Sequence, residues 1–314
     1  MSIPNSIQRT FSRHKNQIIN LIENFGTRIV TEGGRVVHIW DDLQKGTLSK
    51  TIDLKEHISS IKPIENNIAL AFWGLTCNVF ILDPETCEYV QKFNGHTGPV
   101  RAIEVLGNKI ISGSTDKTIQ TWNQMTGKSL STWKAPWPVS CIRTIGNKIL
   151  GCDPLETKSG LCIWAETGNL DTIAIPEIYC VEPIDDNTIL HGALGKIGIL
   201  DLRKNHSIHL LSSHLSPIEY IGSLSGNALI GIANLPGKSL IQVWDFRKPE
   251  ILSQFESPAP ITAFKIVNNI AVVGLTNGEI AFLNYTPEKP TNFVYSSLAN
   301  IYKSFGNARK TLRG

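Results

Sequence analysis

The sequence has no long apolar run, and it contains only two methionines in 314 residues. No apolar stretch approaches the roughly 18 residues that a membrane-spanning helix needs. The first residues, MSIPNSIQRTFSRHK, lack the apolar segment of a signal peptide. These absences predict a cytoplasmic protein without membrane insertion.

A strong charge of one sign is also lacking, since the formal net charge is +3. So small a charge does not indicate a surface that binds nucleic acid or lipid headgroups. A glycine-rich loop that leads from a strand into a helix, as a nucleotide site requires, is absent too. The sequence therefore predicts neither a cofactor nor a nucleic-acid partner.

Cysteines are few and follow no metal-binding spacing. The six are Cys77, Cys87, Cys141, Cys152, Cys162 and Cys180. They lie scattered through strand-like segments, which favours buried free thiols in a reducing compartment. No metal site is predicted.

What the sequence does contain is a repeat. Seven anchor residues lie 36 to 44 positions apart, and each follows an apolar residue three positions earlier: Trp40, Leu82, Trp122, Trp164, Leu200, Trp244 and Leu283. Upstream of each anchor lies an apolar pair at i and i+3: Ile18/Leu21, Ile61/Ile64, Val100/Ile103, Val139/Ile142, Ile178/Val181, Ile218/Ile221 and Ile261/Phe264. Further apolar strands, opened by turns such as GNKI, and a more polar strand such as CEYVQKF complete each unit. Four strands in about 40 residues predict a blade, and the whole predicts an all-β, seven-bladed β-propeller.

The third unit carries a recognisable set of polar residues. Gly95-His96, Ser112-Gly113-Ser114, Asp116 and Trp122 match the WD-repeat pattern, and Trp40-Asp41 and Trp244-Asp245 show its naming dipeptide. The chain thus resembles the WD-repeat β-propeller family over about residues 6 to 284. Its compact units look most like the propellers of F-box/WD substrate receptors, although no segment is left over for an F-box.

The resemblance implies a structural role for His96, Ser112, Asp116 and Trp122, as a hydrogen-bonded network that holds one blade together. Desolvated polar groups need such partners. A catalytic triad would instead require an exposed nucleophile beside an oxyanion site. We therefore expect no catalytic residue in this stretch.

The two ends of the chain are expected to differ in role. Ile7, Arg9, Phe11 and His14 repeat the spacing of Tyr89, Gln91, Phe93 and His96, so residues of about 6–12 are predicted to form the outer strand of the last blade. The propeller domain would then span residues 1–284. The tail, residues 285–314, has five Lys or Arg and one acid. Its residues Leu298, Ile301, Tyr302 and Phe305 share one face of a predicted short helix, which would either pack on the propeller or bind a partner.

Candidate partner-binding residues lie in the loops expected on one face, the top face. Leu155, Lys158 and Leu235 belong to the two longest loops, CDPLETKSG and ANLPGKS. Trp137 lies between two prolines and either forms an interface hot spot or fills the top of the channel. Trp73 lies in the corresponding loop of the second unit.

Four further residues share one position, directly after the first apolar residue of the pair in their repeat: Arg101, Lys62, Tyr179 and Glu219. The two cations at this position, Arg101 and Lys62, would suit an acidic or phosphorylated peptide.

These patterns favour a non-enzymatic protein-interaction scaffold that binds a protein or peptide through the top-face loops, either as a monomer or within a larger complex. One alternative is a substrate-recognition subunit, or a mimic of one, in a ubiquitin-ligase complex. Another is an enzyme with its site at the central channel. The enzyme would need convergent acids or a metal at the channel mouth.

Overall fold

The computed structural model describes residues 10–12, 18–42, 47–74, 77–153, 160–175, 177–204, 206–224, 228–245 and 250–284. Every regular element within these ranges is a β-strand, and none of the described residues forms a helix able to cross a membrane. The predicted tail helix lies outside the described residues.

The strands follow one another along the chain in groups that correspond to the repeats. They are β1 (Thr10–Ser12), β2 (Leu21–Phe25), β3 (Arg28–Gly33), β4 (Val36–Asp42), β5 (Thr47–Asp53), β6 (Ile58–Ile64), β7 (Asn67–Phe72), β8 (Asn78–Asp83), β9 (Glu88–Asn94), β10 (Val100–Leu106), β11 (Lys109–Ser114), β12 (Thr118–Asn123), β13 (Ser129–Lys134), β14 (Cys141–Ile145), β15 (Lys148–Cys152), β16 (Leu161–Trp164), β17 (Leu170–Ile173), β18 (Cys180–Pro183), β19 (Thr188–Asp201), β20 (His206–Ser223), β21 (Ala228–Leu235), β22 (Lys238–Asp245), β23 (Glu250–Glu256), β24 (Ile261–Val267), β25 (Ile270–Leu275) and β26 (Glu279–Asn284).

Short apolar runs separated by tight turns produce these strands. The turn between β10 and β11 consists of Gly107 and Asn108, and Gly107 has a φ of 58°, which glycine adopts without steric cost. The next strand, β11, buries Ile110 and Ile111 completely. Tight turns therefore fold each run back on the one before it, and the result is a set of antiparallel sheets.

Hydrogen bonding joins the strands of the described ranges into six sheets. The orders are β2-β3-β4-β5, β6-β7-β8-β9, β10-β11-β12-β13, β14-β15-β16-β17, β18-β19-β20-β21-β22-β23 and β1-β26-β25-β24. Each repeat begins with an inner strand, and the inner strands contact one another in the closed order β2, β6, β10, β14, β18, β20, β24 and back to β2. Sheets arranged in a closed ring in this way form a β-propeller. The prediction of an all-β propeller is confirmed.

The prediction of seven separate blades is wrong, because β20 is one continuous strand of 18 residues. Its first part pairs with β19 as far as Pro217, and its second part pairs with β21 from Ile218 onward. The fifth and sixth repeats are therefore joined in one six-stranded sheet. The sequences of the two junctions differ in glycine. Between the second and third sheets, Gly95 and Gly98 lie in the loop that follows the outer strand β9 and precedes the inner strand β10. At the corresponding junction within β20, residues 206–221 contain no glycine.

The chain start completes the last sheet. β1 pairs antiparallel with β26, and Phe11 lies opposite Ile280. The same relation links Phe93 to Val79 in the second repeat, so β1 occupies the outer position in the register that the sequence spacing predicts. Residues 6–9 of the predicted strand lie outside the described ranges.

Two apolar pairs lie elsewhere than predicted. In the first repeat Ile19 is buried, whereas Ile18 is 46% exposed, so Ile19 opens the repeat. In the second repeat Ile58 lies opposite the end of β7, as Val100 lies opposite the end of β11. The inner pair of that repeat is therefore Ile58/Ile61, three residues before the predicted one.

Candidate functional site

A chain of hydrogen bonds joins four side chains in the third repeat. His96 Nδ1 lies 2.9 Å from Asp116 Oδ2, and His96 Nε2 lies 2.8 Å from Ser112 Oγ. The indole nitrogen of Trp122 donates to the same Ser112 oxygen at 2.8 Å. The network links the loop before β10 to β11, to β12 and to the turn between them, which fixes these strands relative to one another.

The electrostatics of this network suit a structural role. Burial lowers the pKa of His96, although Asp116 opposes the change, so the ring is neutral and donates from Nδ1 to the carboxylate. Burial alone would raise the pKa of Asp116, but hydrogen bonds from Thr118, Thr97 and His96 lower it below its usual value. Ser112 is completely buried and therefore cannot reach a substrate as a nucleophile.

Three other repeats also have a tryptophan at the anchor position, but the surroundings of the indole nitrogen differ among them. In the first repeat, Trp40 Nε1 donates to Thr31 Oγ1 at 2.9 Å. In the fourth and sixth repeats, Gly151 and Gly231 occupy the strand position that Ser112 has in the third repeat, so these repeats have no hydroxyl group there. The indole nitrogens of Trp164 and Trp244 find no hydrogen-bond partner among the described residues. Apolar packing replaces the network in these two repeats.

The top face, where the inner strands begin, carries an exposed aromatic and cationic pair. The guanidinium carbon of Arg101 lies 3.5 Å from the centre of the Trp73 ring, and Trp73 is 53% exposed. Asp153, which follows β15, is buried and interacts electrostatically with Arg101. Partial burial lowers the pKa of Arg101, and Asp153 opposes this change. Three successive repeats thus contribute to one cluster, the Arg101 cluster (Trp73, Arg101 and Asp153).

Trp137 is only partly exposed. It packs against the apolar cluster that contains Val139 and Trp164, and its indole nitrogen has no hydrogen-bond partner within the described part of the chain. It lies in the loop that enters the fourth repeat. The geometry therefore gives Trp137 more packing contact than a freely projecting hot spot would have.

The prediction that Lys62 shares the position of Arg101 is wrong. Lys62 lies opposite Ala69 as Glu104 lies opposite Ile111, so it corresponds to Glu104, deeper in the channel. Its ammonium lies 2.7 Å from Glu23 and 3.3 Å from Glu104, and its side chain is 13% exposed. Lys62 is therefore engaged in ion pairs and is not available to an acidic peptide on the top face.

Lys62 belongs to a ring of equivalent positions on the inner strands. In repeat order the ring residues are Glu23, Lys62, Glu104, Arg143, Glu182, Gly222 and Lys265. Lys265 also pairs with Glu23 at 2.7 Å, and Arg143 pairs with Glu182 at 3.1 Å. Burial would raise the pKa of Glu23, but the two lysines lower it below its usual value. A cavity of about 100 Å³ lies beside Gly222.

The remaining predicted site residues are dispersed. Tyr179 is partly exposed at the start of the fifth repeat, where its backbone N–H donates to Gly192 O at 2.8 Å. Leu235 is partly exposed at the end of β21, before the turn at Gly237. Leu155 and Lys158 lie outside the described residues. No group of three or more His, Cys, Asp or Glu in the described ranges could hold a metal ion.

The family model for the WD domain, G-beta repeat, matches residues 87–123. Mitochondrial division protein 1 of Emericella nidulans is 26% identical over 134 residues, which cover 43% of this chain and 18% of that protein. The CCR4-associated factor 4 homolog of Candida glabrata is 29% identical over 232 residues, which cover 68% of this chain and 37% of that protein. The matches thus span well under half the length of these curated relatives.

Solved structures show the same fold. The WD40 β-propeller domain of Doa1 has a TM-score of 0.75 at 14% identity, with 91% of this chain and 99% of that chain covered. The computationally designed Ika8 protein has a TM-score of 0.70 at 16% identity, with 89% and 99% covered. With the ring of sheets, these comparisons show that the chain has the β-propeller fold, and its third repeat matches the WD domain, G-beta repeat.

Proposed function

We propose that this protein is a non-enzymatic interaction scaffold that binds a protein or peptide partner on its top face, at the Arg101 cluster. The observation that carries the proposal is the stack of Arg101 on the exposed ring of Trp73. Tryptophan and arginine dominate the residues that supply most binding energy in interfaces. Proteins of this fold commonly act as rigid platforms for such contacts.

The stack is organised before a partner arrives. The cation–π contact holds the guanidinium in place, so less side-chain entropy is lost when a partner binds. The ring of Trp73 retains an exposed surface that apolar side chains of a partner can cover. Preorganised recognition of this kind needs no chemical step.

The charges of the cluster indicate which contacts dominate. Arg101 is the one cation of the cluster, since Lys62 is paired deeper in the channel. The carboxylate of Asp153 interacts with Arg101 and would repel further negative charges on a partner. A multiply charged peptide would therefore gain little here. The cluster is better suited to a partner segment with apolar or aromatic side chains and one hydrogen-bond acceptor for the guanidinium.

A comparison of two single-residue variants with a matched control tests the proposal. Proteins captured from cell extract by the full-length chain would be quantified for the wild type, Trp73→Ala and Arg101→Ala. Met125→Ala is the control, because Met125 is 80% exposed in the turn after β12, at the opposite end of the sheets. We expect a partner whose recovery falls at least tenfold with both top-face variants and is unchanged with the control. Equal recovery across all four proteins would refute the proposed site.

A further inference from the structure

Two cysteines face each other across the first two strands of the fourth repeat. Cys141 in β14 is the direct antiparallel partner of Cys152 in β15. Cys152 is completely buried and Cys141 partly buried, and both pack in the same apolar cluster between the fourth and fifth repeats. The Cys152 thiol lies near enough to lower the pKa of the Cys141 thiol.

The backbone geometry of this pair suits a covalent link. Directly paired residues in antiparallel strands have Cα atoms about 4.5–5.5 Å apart. Disulfides join cysteines whose Cα atoms are about 4.4–6.8 Å apart. A bond between Cys141 and Cys152 therefore requires rotation of the two side chains and no movement of either strand.

The surroundings make Cys141 the reactive member. The neighbouring thiol of Cys152, assisted by the charge of Arg143, lowers the pKa of the Cys141 thiol to about 6. Burial raises the pKa of Cys162 to about 12 and raises that of Cys180 as well. The thiolate is the nucleophilic form of cysteine, so at neutral pH Cys141 is the one of these thiols prepared to attack a disulfide.

We propose that Cys141 and Cys152 form a reversible disulfide, with a small disulfide such as oxidised glutathione as the oxidant. The Cys141 thiolate attacks one sulfur of oxidised glutathione, which forms a mixed disulfide and releases glutathione thiolate. Cys152 then attacks the Cys141 sulfur, its proton passes to the released thiolate, and a second glutathione thiolate leaves. Two protein thiols are oxidised, and one oxidised glutathione is reduced to two glutathione molecules.

The position of the bond connects it to the top face. Cys152 immediately precedes Asp153 of the Arg101 cluster, and Cys141 lies two residues beyond Val139, at the base of the Trp137 loop. The disulfide would hold these two loop bases together. An effect on partner binding rests on the proposed function, whereas formation of the bond does not.

Redox titration of the folded, full-length protein tests the bond without any partner. Samples equilibrated at defined ratios of reduced to oxidised glutathione would be quenched with acid, alkylated under denaturing conditions and digested for mass spectrometry. We expect a peptide pair linked through Cys141 and Cys152, with a mass loss of two hydrogens. Cys141→Ser and Cys152→Ser should each abolish the link, and Cys180→Ser, which alters a neighbouring thiol of the fifth repeat, should leave it intact.

Circular dichroism of each variant, recorded before titration, shows whether it is folded. Since Cys141 is partly exposed, Cys141→Ser tests the link even where Cys152→Ser unfolds the protein. The proposal is wrong if both thiols remain open to alkylation at the oxidising end of the titration, or if the link forms only after denaturation. A link that involves Cys180 in the wild type would also overturn it. Loss of partner capture on oxidation is a separate readout, and its failure would leave the bond itself established.

Discussion

The indole nitrogen of Trp122 and the hydroxyl of Ser112 are joined by a buried hydrogen bond of 2.8 Å, and the same hydroxyl lies 2.8 Å from His96. A single oxygen thus satisfies two groups that are both removed from water. Buried donors and acceptors cost more when they are left without partners than their hydrogen bonds contribute when formed. Ser112 is therefore the most sensitive position of the network.

Replacement of Ser112 by alanine should lower the free energy of unfolding by about 2–3 kcal/mol, because it leaves Trp122 and His96 each without this partner. Urea denaturation measures the change. Ser129→Ala, at an exposed position of β13, is the control and should change stability by less than about 0.5 kcal/mol. Similar values for the two variants would show that the network contributes little.

Stability should depend on pH through Glu32, which is completely buried. Burial raises the pKa of this carboxyl to about 8, although Asn20 lowers it in part. Neither carboxylate oxygen of Glu32 makes a hydrogen bond of good geometry within the described residues. Because the folded pKa lies above the unfolded one, the contribution to stability is complete below about pH 4.5 and is lost as the pH rises toward 8.

Glu32→Gln removes this dependence. At pH 8.5 the variant should be more stable than the wild type by on the order of 3 kcal/mol, and the difference should shrink toward pH 4.5. Unfolding experiments at several pH values measure it, with Glu88→Gln at an exposed position as the control. A difference that is independent of pH would contradict this account.

The channel ring should contribute more to stability than an exposed ion pair of similar length. Lys62→Met leaves Glu104 in the channel without its lysine and should cost about 2–4 kcal/mol, as breaking a buried pair does. Lys109 pairs with Glu166 at 2.9 Å, but both side chains are more than one third exposed, so Lys109→Met should cost less than about 1 kcal/mol. Equal losses in denaturation experiments would mean that burial of the ring is unimportant.

Removal of residues 1–12 should destabilise the propeller, because it takes β1 away and leaves β26 as an unpaired edge. We expect a melting temperature several degrees lower and concentration-dependent aggregation in light scattering. A shorter deletion, of residues 1–5, leaves β1 intact and serves as the control. If both deletions behave alike, the pairing of β1 with β26 does not matter for closure.

The sequence predicts the features that each repeat encodes locally. The WD-type residues in the third repeat identify the partners of His96, because the pattern specifies residue types at fixed spacings. The class of fold follows from turns such as Gly107-Asn108 between apolar runs. Both depend on interactions within about 40 residues.

Features that depend on register between repeats are harder to predict. Ile58, Ile61 and Ile64 each fit an apolar pair at i and i+3, so the sequence alone does not show which one opens the second repeat, and Lys62 is misplaced as a result. Asp153 escapes prediction for a related reason, since its neighbour Arg101 belongs to another repeat. Nor does local sequence show that β20 continues from one repeat into the next.

The ring in the channel has an odd number of members, and an odd ring of charges cannot alternate in sign all the way round. Gly222 resolves the conflict: as the uncharged member between Glu182 and Lys265, it lets the other six positions alternate without two like neighbours. Loss of the repeat that carries Glu23, Lys62, Glu104 or Arg143 would bring two like charges together in a poorly solvated space. The order of the charged repeats is thus favoured electrostatically at the centre of the molecule, and the strand β1 closes the ring at its edge.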